Sequence, residues 1–291
     1  MYTVMGITGQ VGGAIARALL KDGKKVRGIV RDKAKAAAWE KEGVELVVAL
    51  GESEADLEAA FDGAEGVFAM VPPYFAPAAG YPEAQAVASA LRQAIEATRP
   101  GRAVYLSSVG AHQQKGLGLI TQCHILEQEL ARLSFPNAFI RAAWFMENFQ
   151  WDVVSARDQG VIAAFLDPLD RPFPMVATDD IGRLAAKTLQ QDWTGNRYLE
   201  LEGPRRYSQL DAAETFSRLL NRPVTANRIP REKWAAIFEG LGTAPDRTAP
   251  RIEMLDAFNS GWIDFEGTGT EQVRGTRTLE EVFGELIGKA G

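Results

Sequence analysis

Met1-Tyr2-Thr3-Val4-Met5-Gly6-Ile7-Thr8-Gly9-Gln10-Val11-Gly12 opens the chain. The first five residues are a short apolar run, the pattern of a strand buried on both faces. Gly6, Gly9 and Gly12 stand at G-x-x-G-x-x-G spacing with Thr8 beside the second, and Ile15, Ala16, Leu19 and Leu20 then recur at helical spacing. Strand, glycine turn and helix in that order form a dinucleotide-binding fingerprint. Gly6 allows the tight turn out of the strand, Gly9 lets backbone approach a diphosphate, and Gly12 lets the helix pack closely. Thr8, Gln10 and Val11 complete the loop, and the free N–H groups of the helix start face the phosphates.

Outward from this stretch the pattern repeats. Strands are expected over residues 25–30, 44–49, 66–71, 103–106 and 138–141, with helices over 34–41, 54–61 and 82–98 and another from about residue 117. Near-continuous apolar strands alternating with helices imply a doubly wound α/β fold, its mainly parallel sheet covered on both faces. Six or seven strands are expected. Residues 1–150 form the nucleotide-binding domain, with later segments around 175–203 packing back onto it. Residues 151–291, where the alternation breaks down, form a smaller α/β substrate-binding lobe.

The end of the second strand meets the adenosine ribose in such folds, where a carboxylate accepts from a free 2′-hydroxyl and an arginine accommodates a 2′-phosphate. Arg31 comes first there and Lys33 and Lys35 follow, with Asp32 as the competing signal. Guanidinium–phosphate pairing favours NADP(H), with NAD(H) as the alternative. Val71 and Pro72 end the fourth strand, and Ser107 ends the fifth, at the carboxyl edge where ligands bind. The sixth strand runs into Ala142-Ala143-Trp144-Phe145-Met146-Glu147-Asn148-Phe149-Gln150-Trp151 at the same edge. Part of that aromatic run belongs to the core. Trp144, Phe145 and Phe149 are the candidates for lining a substrate pocket.

The bulk numbers exclude several classes. A formal net charge of −6 argues against nucleic-acid backbones as partners. One cysteine, Cys123, allows no intrachain disulfide, and two histidines make a multi-histidine metal centre unexpected. The chain starts in a strand and contains no apolar run of membrane-spanning length, so a cytoplasmic protein without membrane partners is expected.

The glycine stretch, Val30-Arg31-Asp32, Leu106-Ser107-Ser108-Val109-Gly110-Ala111, His124-Ile125-Leu126-Glu127 and Ile140-Arg141-Ala142-Ala143-Trp144-Phe145-Met146-Glu147-Asn148-Phe149 together resemble the NmrA-like family. These are atypical relatives of the short-chain dehydrogenases/reductases with a Rossmann fold, and the Trp-x-x-Glu-Asn-Phe stretch is the more specific marker. The resemblance implies NAD(P) binding. It points to NADPH:quinone reductases of this type or to regulators that hold the cofactor without turning it over. Enzymes of the wider superfamily use a Tyr-x-x-x-Lys pair on the helix after the fifth strand, but here those positions fall on Leu119 and Cys123. Neither can transfer a proton as that pair does. The missing pair disfavours dehydrogenation of a sugar or steroid alcohol. His124 is the nearest titratable substitute, with His112 and Lys115 before it, and Asn148 is placed to hydrogen-bond an acceptor oxygen. The leading expectation is hydride transfer from NADPH to a small planar acceptor such as a quinone. The competing one is a redox sensor acting through a protein partner. A homodimer is compatible with either.

Overall fold

The opening strand becomes a central strand because its four residues, Tyr2–Met5, are buried without exception and have apolar neighbours on both sides. The computed structural model describes residues 1–290. Among the described residues there are twelve strands: β1 (Tyr2–Met5), β2 (Val26–Val30), β3 (Glu45–Val48), β4 (Gly66–Ala69), β5 (Ala103–Ser108), β6 (Asn137–Ala142), β7 (Trp144–Phe145), β8 (Val161–Ala164), β9 (Met175–Val176), β10 (Asn196–Glu202), β11 (Thr225–Arg228) and β12 (Glu271–Arg274). The helices are α1 (Gln10–Lys21), α2 (Ala37–Lys41), α3 (Glu54–Phe61), α4 (Pro82–Thr98), α5 (Thr121–Leu130), α6 (Val153–Gln159), α7 (Thr178–Leu189), α8 (Gln209–Leu220), α9 (Trp234–Gly240), α10 (Ala249–Ser260) and α11 (Leu279–Ala290).

Eight strands form one parallel sheet in the order β12-β10-β6-β5-β4-β1-β2-β3. The chain runs outward from β1 to β3 on one side and from β4 onward on the other, so the order reverses between β1 and β4. That reversal opens a crevice at the carboxyl edge, beside the glycine loop. The doubly wound fold read from the sequence is therefore present, with eight strands in place of six or seven. The added strand is β12, whose Glu-Gln-Val-Arg sequence is mostly exposed and carries no apolar signal. The strand β10 lies in the stretch expected to pack back onto the first 150 residues, and β12 joins the sheet from beyond that stretch. The second lobe adds two two-stranded pairs, β11 with β8 and β7 with β9.

Two rows of side chains cross one face of the sheet. Tyr105, Phe139 and Tyr198 stack in register, with ring centroids 5.1 and 5.3 Å apart. Two residues nearer the carboxyl edge, Ser107, Arg141, Glu200 and Gln272 stand side by side on β5, β6, β10 and β12. On the other face α7 lies along α1. Gly182 meets Ala14 so closely that an added Cβ would sit 2.4 Å from the Ala14 Cβ, and Gln190 donates to Asp22 at 2.9 Å one helix length on. The two helices therefore run parallel and begin at the same sheet edge. The second lobe has its own aromatic core, with Phe216 on Phe283 at 4.2 Å and Phe165 on Phe238 at 5.6 Å. No described helix is long and apolar enough to cross a membrane.

Candidate functional site

The glycine loop is built as its spacing requires. Gly6 adopts φ +71°, and its carbonyl accepts from the Gly9 amide at 2.9 Å. A Cβ at Gly12 would stand 2.2 Å from the Gly6 oxygen, so only glycine lets α1 come this near the strand. Thr8, Gly9 and Gln10 are exposed while Val11 is core. The N-cap residue of α1, Gly9, has no side-chain capping bond, and there is no acid in the first turn. The amides of the first turn are left for an anion, and the helix dipole favours one there. These features fit a dinucleotide diphosphate.

At the end of β2, the Oδ1 of Asp32 accepts from the Ala34 amide at 2.9 Å and so starts the short turn Ala34–Ala36. This is an Asx turn, a local use of the carboxylate that competes with a ribose hydroxyl. Arg31 and Lys35 are exposed. Val71 and Pro72 are half-exposed past β4, on the crevice side of the strand-order reversal.

Beyond the diphosphate position the structure separates the expected residues. Trp144 and Phe145 are half-buried where β6 passes into β7, and Trp144 meets Phe258 and Phe173 edge-on at 5.2 and 6.3 Å. Phe149 is 5% exposed and packs against Phe283 at 5.1 Å, so it is a core residue of the second lobe and not a pocket wall. Asn148, between them on a 3-10 turn, is exposed, and its side chain makes no hydrogen bond among the described residues. The Ser107 hydroxyl is buried and donates to Glu127 Oε1 at 2.5 Å, which withdraws it from the cofactor role expected of it.

His124 is also redirected. It shares a face of α5 with Gln128, and with Gln85 and Ser89 of α4 it lines a groove of about 700 Å³ between the two helices. Its Nδ1 bonds the Ala111 carbonyl at 2.8 Å. The sheet-facing side of α5 instead carries Leu126, Glu127 and Leu130. Burial, with the nearby Glu127 carboxylate, pushes the Cys123 thiol up to about 12. Leu119 is 8% exposed. The two positions of the absent Tyr-x-x-x-Lys pair are thus held by a leucine and a protonated thiol, and the imidazole faces the helix groove.

Sequence reasoning missed two acids. Glu127 binds Arg141 through two hydrogen bonds, Nε to Oε1 at 3.0 Å and Nη2 to Oε2 at 2.7 Å, with both side chains buried. Burial opposes the guanidinium charge, but the carboxylates of Glu127 and Glu266 outweigh it and hold Arg141 above its ordinary range. Glu147 accepts from the Thr178 amide at 2.8 Å and the Thr178 hydroxyl at 2.7 Å, capping α7 beside the start of α1. Burial raises its carboxyl above the usual carboxylate range. A Glu–Arg pair spaced by a helix and a strand has no local signature. Glu147 was visible only as a letter of the Trp-x-x-Glu-Asn stretch.

Comparison with known proteins agrees with this architecture. Quinone oxidoreductase 2 of Escherichia coli is 23% identical over 294 residues, covering 99% of each chain. An NAD(P)H azoreductase of Xenophilus azovorans is 24% identical over 258 residues, 88% of this chain and 86% of that protein. Among solved structures, the Citrobacter triphenylmethane reductase complexed with NADP(H) superposes with a TM-score of 0.78 at 18% identity over the whole of both chains. The model of the NmrA-like family matches residues 2–261, and the chain is a member of that family.

Proposed function

We propose that the protein is an NADPH-dependent reductase of a small planar acceptor, a quinone being the leading class. The observation that carries the cofactor choice is the Asp32–Ala34 bond: it ties one oxygen of the one carboxylate at the ribose position into a local turn, while Arg31 and Lys35 stand exposed for a 2′-phosphate. The loop from Gly6 to Gly12 would hold the diphosphate, and Trp144 and Phe145 stand at the edge where the nicotinamide end lies. When bound, the cofactor supplies the hydride.

What the chain's own residues do is bind, orient and exclude water. With Leu119 and Cys123 in place of the acid–base pair, no side chain at those positions donates, and the one proton the acceptor needs besides the hydride comes from solvent. A quinone tolerates this because its reduced form is stabilised without a positioned acid, whereas carbonyl reduction to an alcohol needs one. The kinship with a quinone oxidoreductase and an azoreductase, both reductases of conjugated acceptors by name, supports the same choice.

The test is NADPH oxidation followed at equal protein concentration with a quinone panel, an azo dye and a simple ketone. Turnover is expected with quinones and not with the ketone, and His124→Ala should retain it. Saturable NADPH binding with no turnover on any acceptor would replace this reading with the redox-sensor one.

A further inference from the structure

The carboxylates of Glu127, Glu200 and Glu266 converge on a single guanidinium, Arg141. Glu127 and Arg141 satisfy each other, so Glu200 and Glu266 share what remains of one positive charge. His112, in the loop after β5, reaches the same place: one imidazole nitrogen and one oxygen from each of Glu200 and Glu266 lie within 4.8 Å of one another. The Nδ1 of His112 is shut off from solvent and has no hydrogen-bond partner. A ring nitrogen buried without a partner is costly, and the carboxylates beside this imidazole carry more negative charge than Arg141 offsets.

We infer that His112, Glu200 and Glu266 bind a divalent first-row transition-metal ion that clasps the loop after β5 to the segment between α10 and β12. The remaining lone pairs permit it. Glu200 Oε2 is saturated by Gly267 N, Thr270 Oγ1 and Gln272 Nε2, but Oε1 takes only the Glu266 amide at 2.8 Å, with Arg141 Nη1 3.8 Å away. Glu266 gives Oε2 to Arg141 at 2.6 Å and keeps Oε1. One imidazole and two carboxylates suit zinc, nickel, cobalt or manganese better than magnesium, which prefers oxygen donors and water. Arg141 and the Glu266 amide orient the ligands from behind, as outer partners do in metal sites. Glu266 has a side chain 41% exposed and provides the way in. This assignment replaces the expectation from histidine number alone, since it needs one histidine and not several.

The full-length protein, dialysed against a chelator, is melted with ZnCl2, NiCl2, CoCl2, MnCl2 or MgCl2. A transition ion at about one hundred times its Kd should raise Tm by about 5 °C or more through mass action, and MgCl2 should not. The shift should persist in His124→Ala, which removes the only other histidine, and vanish in both His112→Gln and Glu266→Gln. Cobalt absorption in the visible range gives a second readout that does not depend on melting. Absence of any shift or cobalt band in the unaltered protein overturns the assignment. So does a shift that survives His112→Gln, which would mean adventitious surface binding.

Discussion

Glu127 on α5 and Arg141 on β6 form a two-bonded ion pair with both side chains about 95% buried. The pair also receives the Ser107 hydroxyl and lies under the Tyr198 ring, whose centroid is 4.5 Å from the guanidinium carbon. Cutting a buried pair on one side leaves a bare charge. Glu127→Ala should therefore cost about 3–5 kcal/mol in denaturant unfolding. Glu127→Gln, which keeps the shape and an acceptor, should cost less. A loss below 1 kcal/mol for the alanine variant would mean that solvent reaches the pair.

Arg31→Ala should weaken NADPH binding by tenfold or more and leave NADH nearly unchanged, because only the former carries the 2′-phosphate that a guanidinium clamps. Asp32→Ala should lower thermal stability slightly through loss of the Ala34 cap, without improving NADH binding. Isothermal titration with both nucleotides measures each effect, and an unchanged preference in the arginine variant would contradict the assignment.

Asp152 supplies a pH prediction. Burial pushes its carboxyl up to about 6, opposed in part by the hydrogen bond from the Ala163 amide at 2.8 Å. The native state then holds a proton that the unfolded chain releases from about pH 4, so this group's contribution falls as pH rises from about 4 to 6 and stays low above that. Asp152→Asn keeps the acceptor for Ala163 and removes the ionisation. It should be about 1–2 kcal/mol more stable than the parent at pH 7 and nearly equal at pH 4. Urea melts at the two pH values check the sign.

Cys123 should be inert in the folded protein. With its thiol near 12, almost no thiolate exists at pH 8, and thiolate is the nucleophile. Ellman's reagent should find no fast-reacting thiol before denaturant is added and one after. The thiol is half-buried, so its protection rests on the raised pKa, and rapid labelling of the native protein at pH 8 would contradict that shift.

The parts legible in the sequence are those whose physics is local. Gly12 announces the close approach to Gly6 because only one residue type tolerates it, and the first six strands declare themselves because burial leaves them mostly apolar. The strand β12 was silent for the opposite reason: as an exposed edge strand it needs no apolar run, and its partner on β10 is 72 residues away in sequence. Trp144 and Phe149 look alike in sequence yet part company in the fold, one at the sheet edge and one in the second core, because the 3-10 helix Met146–Asp152 begins between them. His124 follows Cys123 by one residue, and one step along a helix turns a side chain by about 100°. That step moves it from the sheet side to the groove. Asp32 read as a rival to Arg31 until its bond to Ala34 gave it separate employment.

The position of β10 between β6 and β12 also governs how this chain can come into being. Asn137 cannot find its neighbour Asn196 until some sixty further residues have left the ribosome, and Leu199 must wait again for Glu271. Until then β6 offers an unpaired ladder of amides and carbonyls, the kind of edge that recruits strands from other molecules. A nascent chain halted at the end of the glycine-loop half would leave that edge open, and the sheet is complete only when residues 271–274 have been delivered.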